Sequence, residues 1–148
     1  MDNHFIVELF KDSIPFERHG NRPSEEDIEY DFMLEGKSIL VVFRLINEEE
    51  SEIEFYVDGM VSGSQLANMK SVYSLLSTVK KCIMDFLKFA PKIKVLSFKG
   101  NDEQHIRFYN KITPSLARDL NMRSDTIKLN SITSIYRLIK KENEETND

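Results

Sequence analysis

Apolar residues recur in steps of three and four along one long stretch: Leu66, Met69, Tyr73, Leu76, Val79, Ile83, Phe86 and Ala90. That spacing keeps one stripe on one face of a helix. Val72, Leu75, Cys82 and Leu87 widen the stripe, so more than half of the girth is expected to be packed. Lys70, Lys80, Lys81, Asp85 and Lys88 supply the wet side. Ser62 or Ser64 stands where a side-chain oxygen can cap the first turn. Pro91 cannot continue the hydrogen-bond ladder and disfavours helical geometry at Ala90, so it ends the helix. From Gln65 to Ala90 such a helix spans roughly 39 Å at about 1.5 Å per residue.

Upstream the period changes to two. Phe5-Ile6-Val7-Glu8-Leu9-Phe10 is rich in β-formers and predicts a first strand. Residues 11–26, with Pro15, Gly20 and Pro23, read as a loop. Ile28, Tyr30 and Phe32 then alternate with Glu29 and Asp31, the mark of a half-buried strand. Glu35-Gly36-Lys37 makes a turn, and Ser38 to Leu45 returns as a more fully buried, central strand. After the exposed turn Asn47 to Glu50, Ile53, Phe55 and Val57 alternate with Glu52, Glu54 and Tyr56. Connections this short predict an antiparallel meander.

Downstream of Pro91, Lys94 to Phe98 reads as a short apolar strand. It follows a helical crossover, so it is expected to lie parallel to a neighbour. After Gly100-Asn101-Asp102 a second helix is predicted from about Glu103 to Leu120, with Ile106, Tyr109, Ile112 and Leu116 on one face. Pro114 lies inside it and should break it within a turn of Lys111. Thr126 to Leu129 and Ser134 to Ile139 predict a closing pair of strands, the second offering an unpaired edge for association. The expected fold is therefore α+β: a mixed, mostly antiparallel sheet of six or seven strands with a long helix on one face. One domain occupies 1–139, and 140–148 is a charged, disordered tail.

Composition narrows the function classes. Apolar residues make up 41% of the 148, enough for a core without staples. The net charge of −5, concentrated at Glu25 to Asp27, Glu48 to Glu50 and the tail, argues against a nucleic-acid partner. The basic group Lys80, Lys81, Lys88, Lys92 and Lys94 reads as a solvated helix face more readily than as a phosphate-binding patch. No apolar run reaches membrane-spanning length, and the single cysteine fits a reducing compartment, so a soluble cytoplasmic protein is expected. Cys82, on the apolar side of its helix, reads as a small buried hydrophobe. His4 and His19 have no ligand-spaced companions, and no metal site is expected. Tyr109 lies at apolar spacing, which favours a core or cleft tyrosine. One turn earlier, His105 is either a solvated helix-face residue or a base.

The element order and the run from Asn101-Asp102 to Phe108-Tyr109, followed by Asn110-Lys111, resemble the GNAT superfamily of acyltransferases. A closer likeness is to small phage-encoded proteins of that fold, carried by Ile53-Glu54-Phe55, Ser77-Thr78-Val79 and Val95-Leu96-Ser97-Phe98. The resemblance implies an acyl-CoA N-acyltransferase-like architecture. It implies acetyl coenzyme A as cofactor, Tyr109 as the acid that protonates the leaving thiolate, and Glu52 or Glu54 as base. Ser62, Gly63 and Ser64 then fall on the loop that cradles pyrophosphate.

Here, however, the family's Gln/Arg-x-x-Gly-x-Gly/Ala run is replaced by Val61-Ser62-Gly63-Ser64-Gln65-Leu66. The leading cation or amide and the second glycine are missing, although close approach of backbone N–H groups depends on such glycines. The phage proteins' Ser-Arg before the tyrosine is Gln104-His105. The chain between the first two strands is also too short for the pair of helices that shapes an acceptor site. The favoured expectation is a catalytically silent, phage- or mobile-element-type protein without a cofactor. It would work by protein–protein interaction, self-association or particle assembly, in host cytoplasm or virion. The alternative is a working N-acetyltransferase.

Overall fold

The computed structural model describes residues 14–58, 60–61 and 72–141. The expected strand at Phe5–Phe10, the helical turns before Val72 with Leu66, the capping serines and the segment from Glu142 lie outside those residues. The described strands are β1 (Glu17–His19), β2 (Ile28–Leu34), β3 (Lys37–Asn47), β4 (Glu50–Val57), β5 (Met60–Val61), β6 (Val95–Gly100), β7 (Met122–Lys128) and β8 (Ser134–Lys140). The helices are α1 (Val72–Phe89) and α2 (Glu103–Leu120). The sheet runs β1-β2-β3-β4-β6-β8-β7, with β5 beside β4. Every pairing is antiparallel except β4 with β6.

Period-two patterning becomes one covered face. Ile28, Tyr30, Phe32, Ile39, Val41, Phe43, Ile53, Phe55, Val57, Leu96, Phe98, Tyr136 and Leu138 are buried together. Leu75, Val79, Ile83 and Phe86 of α1 and Phe108, Tyr109, Ile112 and Leu116 of α2 join the same core. The β2–β3 hairpin closes through Glu35 (φ 51°) and Gly36 (φ 76°), the paired positive φ values of a two-residue turn that matches strand twist. The stretch expected to be loop contains β1, paired with β2 from Glu17↔Asp31 to His19↔Glu29. Its outward charges hide a strand from any hydrophobic pattern.

Other expectations are corrected. Tyr73, placed on the apolar stripe, is 79% exposed. Lys80, placed on the wet side, is 6% exposed and bonds Asp119 across the α1–α2 contact. A long aliphatic stem with one satisfied charge at its tip can be buried where periodicity alone predicts solvent. α2 runs unbroken from Glu103 to Leu120 through Pro114. Pro114 and Asn110 are both exposed, so the ring and the turn it disturbs lie on the outer side of the helix. Meanwhile Ile112, Thr113, Leu116 and Ala117 hold the other side in the core. Asn121 closes this helix with φ 56°, its N–H returning to the carbonyls of Ala117 and Arg118.

The closing strand β8 is internal, between β6 and β7, so its edge is not open. Lys140, assigned to the tail, is the last residue of β8, and its N–H donates to the Lys94 carbonyl at 2.9 Å. No described helix is long and apolar enough to cross a membrane.

Two carboxylates tie this framework to pH. Desolvation raises Asp119, but hydrogen bonds and charge from Lys80 and Arg118 outweigh it and hold the carboxyl below its ordinary value. Hydrogen bonds from Arg137 lower Asp125, against a smaller opposing effect of burial. A carboxyl depressed in the folded state adds stability above its unfolded pKa, about 3.9 for Asp, and loses it as pH falls through the lower folded value. Thermal unfolding followed by circular dichroism should therefore show no loss from these groups between pH 7 and 5. A decline should set in below about pH 4, shallower in Asp119→Asn.

Candidate functional site

β4 and β6 run side by side only from Glu50↔Val95 to Glu52↔Ser97. Beyond that point β6 continues with β8 as far as Gly100, and β4 continues to Val57 with β5 paired at Tyr56 and Val57. The divergence opens a crevice at the C-terminal ends of two parallel strands, a position where α/β sheets commonly admit ligands. Glu52, Ile53, Glu54 and Phe55 line it from β4, with Lys99 and Asn101 at the end of β6. Asp102, His105 and Tyr109 close it from the start of α2. Tyr109, His105, Glu52 and Glu54 are thus brought to one place. Ser62, Gly63 and Ser64 lie outside the described residues.

Local sequence explains the arrangement. Asp102 caps α2: one carboxylate oxygen accepts from the His105 N–H at 2.8 Å, satisfying a helix-end donor. Its other oxygen lies 2.7 Å from His105 Nδ1, so the cap also orients the imidazole. Tyr109 follows one turn later, its ring 4% exposed. It stacks on Phe98 at 5.3 Å and contacts Phe55, Phe108, His105 and Tyr136. Gly100 makes this possible, since a Cβ there would lie 3.1 Å from Ile106 Cγ1 and 3.4 Å from the Tyr109 ring.

The electrostatics of the crevice are largely internal. Burial pushes the Tyr109 phenol well above its ordinary pKa, with smaller contributions from the charges of Glu54 and Asp102, so it stays protonated. Glu54 accepts from Arg44 at 2.5 Å and from Tyr56 at 3.2 Å. Arg44 also approaches Glu52 at 3.5 Å and Asp27 at 3.2 Å, and its pKa is raised mainly by the hydrogen bond to Glu54. Glu52 and Glu54, which alternate with the buried residues of β4, thus join Arg44 in one cross-strand cluster. Arg44 was not singled out from the sequence. The β3–β4 register, which sets Arg44 opposite Glu52, is the signal that finds it.

The crevice volume, about 130 Å³, is below the roughly 300–1,000 Å³ of small-molecule sites. Larger hollows of about 640 and 570 Å³ share no lining residue with it. Cys82 is fully buried and its thiol is pushed up by desolvation, so it is no nucleophile. Among the described residues no group of three or more His, Cys, Asp or Glu side chains is arranged to hold a metal. Comparison with protein-family models, with curated proteins and with solved structures yields no match.

Proposed function

We propose that this chain is a catalytically silent protein of acyltransferase-like fold that works by associating with protein. The observation that supports this most is the self-satisfied crevice. His105 is engaged by Asp102 and Glu54 by Arg44 and Tyr56, around a space of about 130 Å³. A nucleophilic acceptor needs an unoccupied base within hydrogen-bond reach, and a thioester needs room beside it. β5 adds a second obstacle, because it takes up the β4 edge at Tyr56 and Val57 where the strands part. On this reading no acetyl coenzyme A is bound, in keeping with the single glycine between Ser62 and Ser64.

One observation favours the second reading, an N-acetyltransferase using acetyl coenzyme A. Tyr109 keeps its proton and lines the same crevice, as a general acid would. Isothermal titration of the full chain decides between the two. The silent reading expects no saturable binding of acetyl coenzyme A in the micromolar range. Saturable binding, with acyl transfer that Tyr109→Phe slows, selects the enzyme.

A further inference from the structure

The sheet ends in two very different edges. β1 is three residues long, whereas β7 is seven, contains no proline and has β8 as its only strand partner among the described residues. Arg123, Ser124, Thr126, Ile127 and Lys128 are exposed along it. Exposed apolar residues gather at its far end: Ile127 at 40%, Leu129 at 53% and Ile132 at 63%. That end is ordered. Asn130 Oδ1 accepts from the N–H groups of Ile132 and Thr133, each at 2.9 Å, and the Leu129 N–H donates to the Thr133 carbonyl. A long, regular edge with unpaired N–H and C=O groups is a template for another strand.

We infer that β7 pairs antiparallel with β7 of a second copy, centred on Ser124. The pleat limits the choices. Arg123, Asp125 and Ile127 share one face of the sheet with Ile139, Arg137 and Ile135, while Met122, Ser124, Thr126 and Lys128 share the other. A two-fold pairing must set like faces opposite each other, so its axis passes through a residue, not between two. Centring on Arg123 opposes two cations, and centring on Asp125 opposes two carboxylates. Centring on Thr126 sets Asp125 against Ile127. Centring on Ser124 sets Arg123 against Asp125 twice, once in each direction.

Asp125 is suited to that role. Arg137 holds it with bonds of 2.8 and 2.6 Å, which fixes its carboxylate while leaving lone pairs for another cation. The same register carries each hairpin tip, with Leu129 and Ile132, past Asn121 of the other copy.

The inference names the partner and surface for the association proposed above, and it rests on that reading. Sedimentation equilibrium of the full chain should show a monomer–dimer equilibrium, with Arg123→Glu weakening it roughly tenfold or more by opposing like charges, and Arg123→Lys retaining it. Cysteine substitution tests the register independently, because Cys82 is buried. Ser124→Cys should form an intermolecular disulfide on mild oxidation, since residues opposite each other across strands lie within disulfide reach, and Thr126→Cys should not. A monomer at about 100 µM with no Ser124→Cys cross-link overturns the inference. So does a dimer that cross-links through Thr126→Cys and ignores Arg123→Glu. A monomer that also binds no acetyl coenzyme A defeats this edge and leaves the silent reading in place.

Discussion

Phe98→Ala is expected to cost about 3–5 kcal/mol, which lowers the midpoint of thermal unfolding by about 10 °C. Phe98 is fully buried and links both halves of the sheet. Its ring stacks with Phe55 of β4 at 5.9 Å and with Tyr109 of α2 at 5.3 Å, across the point where β4 and β6 begin to part. Truncation removes both aromatic contacts and leaves a cavity that β8, paired behind β6, cannot collapse to fill. Chemical denaturation monitored by circular dichroism measures the loss. Phe98→Leu, which keeps much of the volume, should lose less. A cost below about 1 kcal/mol for the alanine variant would mean that this junction is not part of the core.

Lys80→Ala is expected to cost about 3 kcal/mol, the lower end for breaking a buried ion pair. The Lys80 side chain is 7% exposed and Asp119 17%, and they join α1 to α2. Loss of the ammonium leaves a carboxylate partly desolvated, helped among the described residues by Arg118 at 3.2 Å, whose side chain is 75% exposed. The penalty comes from the stranded charge, not from the pair's net worth. Lys80→Met combined with Asp119→Leu should therefore recover most of the loss in the same denaturation experiment.

Those two residues also show what was legible in the sequence. Phe98 belongs to a strand whose apolar run and place after a helical crossover announce both its burial and its parallel partner. The alternation of Ile53, Phe55 and Val57 likewise survives unchanged, because a strand with one covered face has no freedom to place them elsewhere. Asp102 as helix start and Pro91 as helix stop are local chemistry, readable without tertiary information.

Lys80 was misplaced because its partner is 39 positions away, and only the packing of two helices brings them together. Pro114 misled for a related reason. Its cost is fixed by local geometry, whereas the compensation comes from four buried neighbours, Ile112, Thr113, Leu116 and Ala117. The edge assignment failed because strand order is non-local: β7 precedes β8 in the chain yet lies outside it in the sheet. At the crevice, that His105 and Tyr109 would lie one turn apart on one helix could be read from their spacing. That Arg44 and Asp102 would occupy the other ionisable groups could not, since each pairing depends on register or on a cap doing double duty.

The proposed silent function requires that the space between β4 and β6, closed by its own side chains, takes no acyl cofactor. Titrating the isotopically labelled chain with acetyl coenzyme A, and following backbone amides by two-dimensional nuclear magnetic resonance, tests it at the residues concerned. The amides of Glu52 to Phe55 and Asp102 to Tyr109 should stay in place through millimolar ligand. Saturable shifts clustered on those two segments would contradict it.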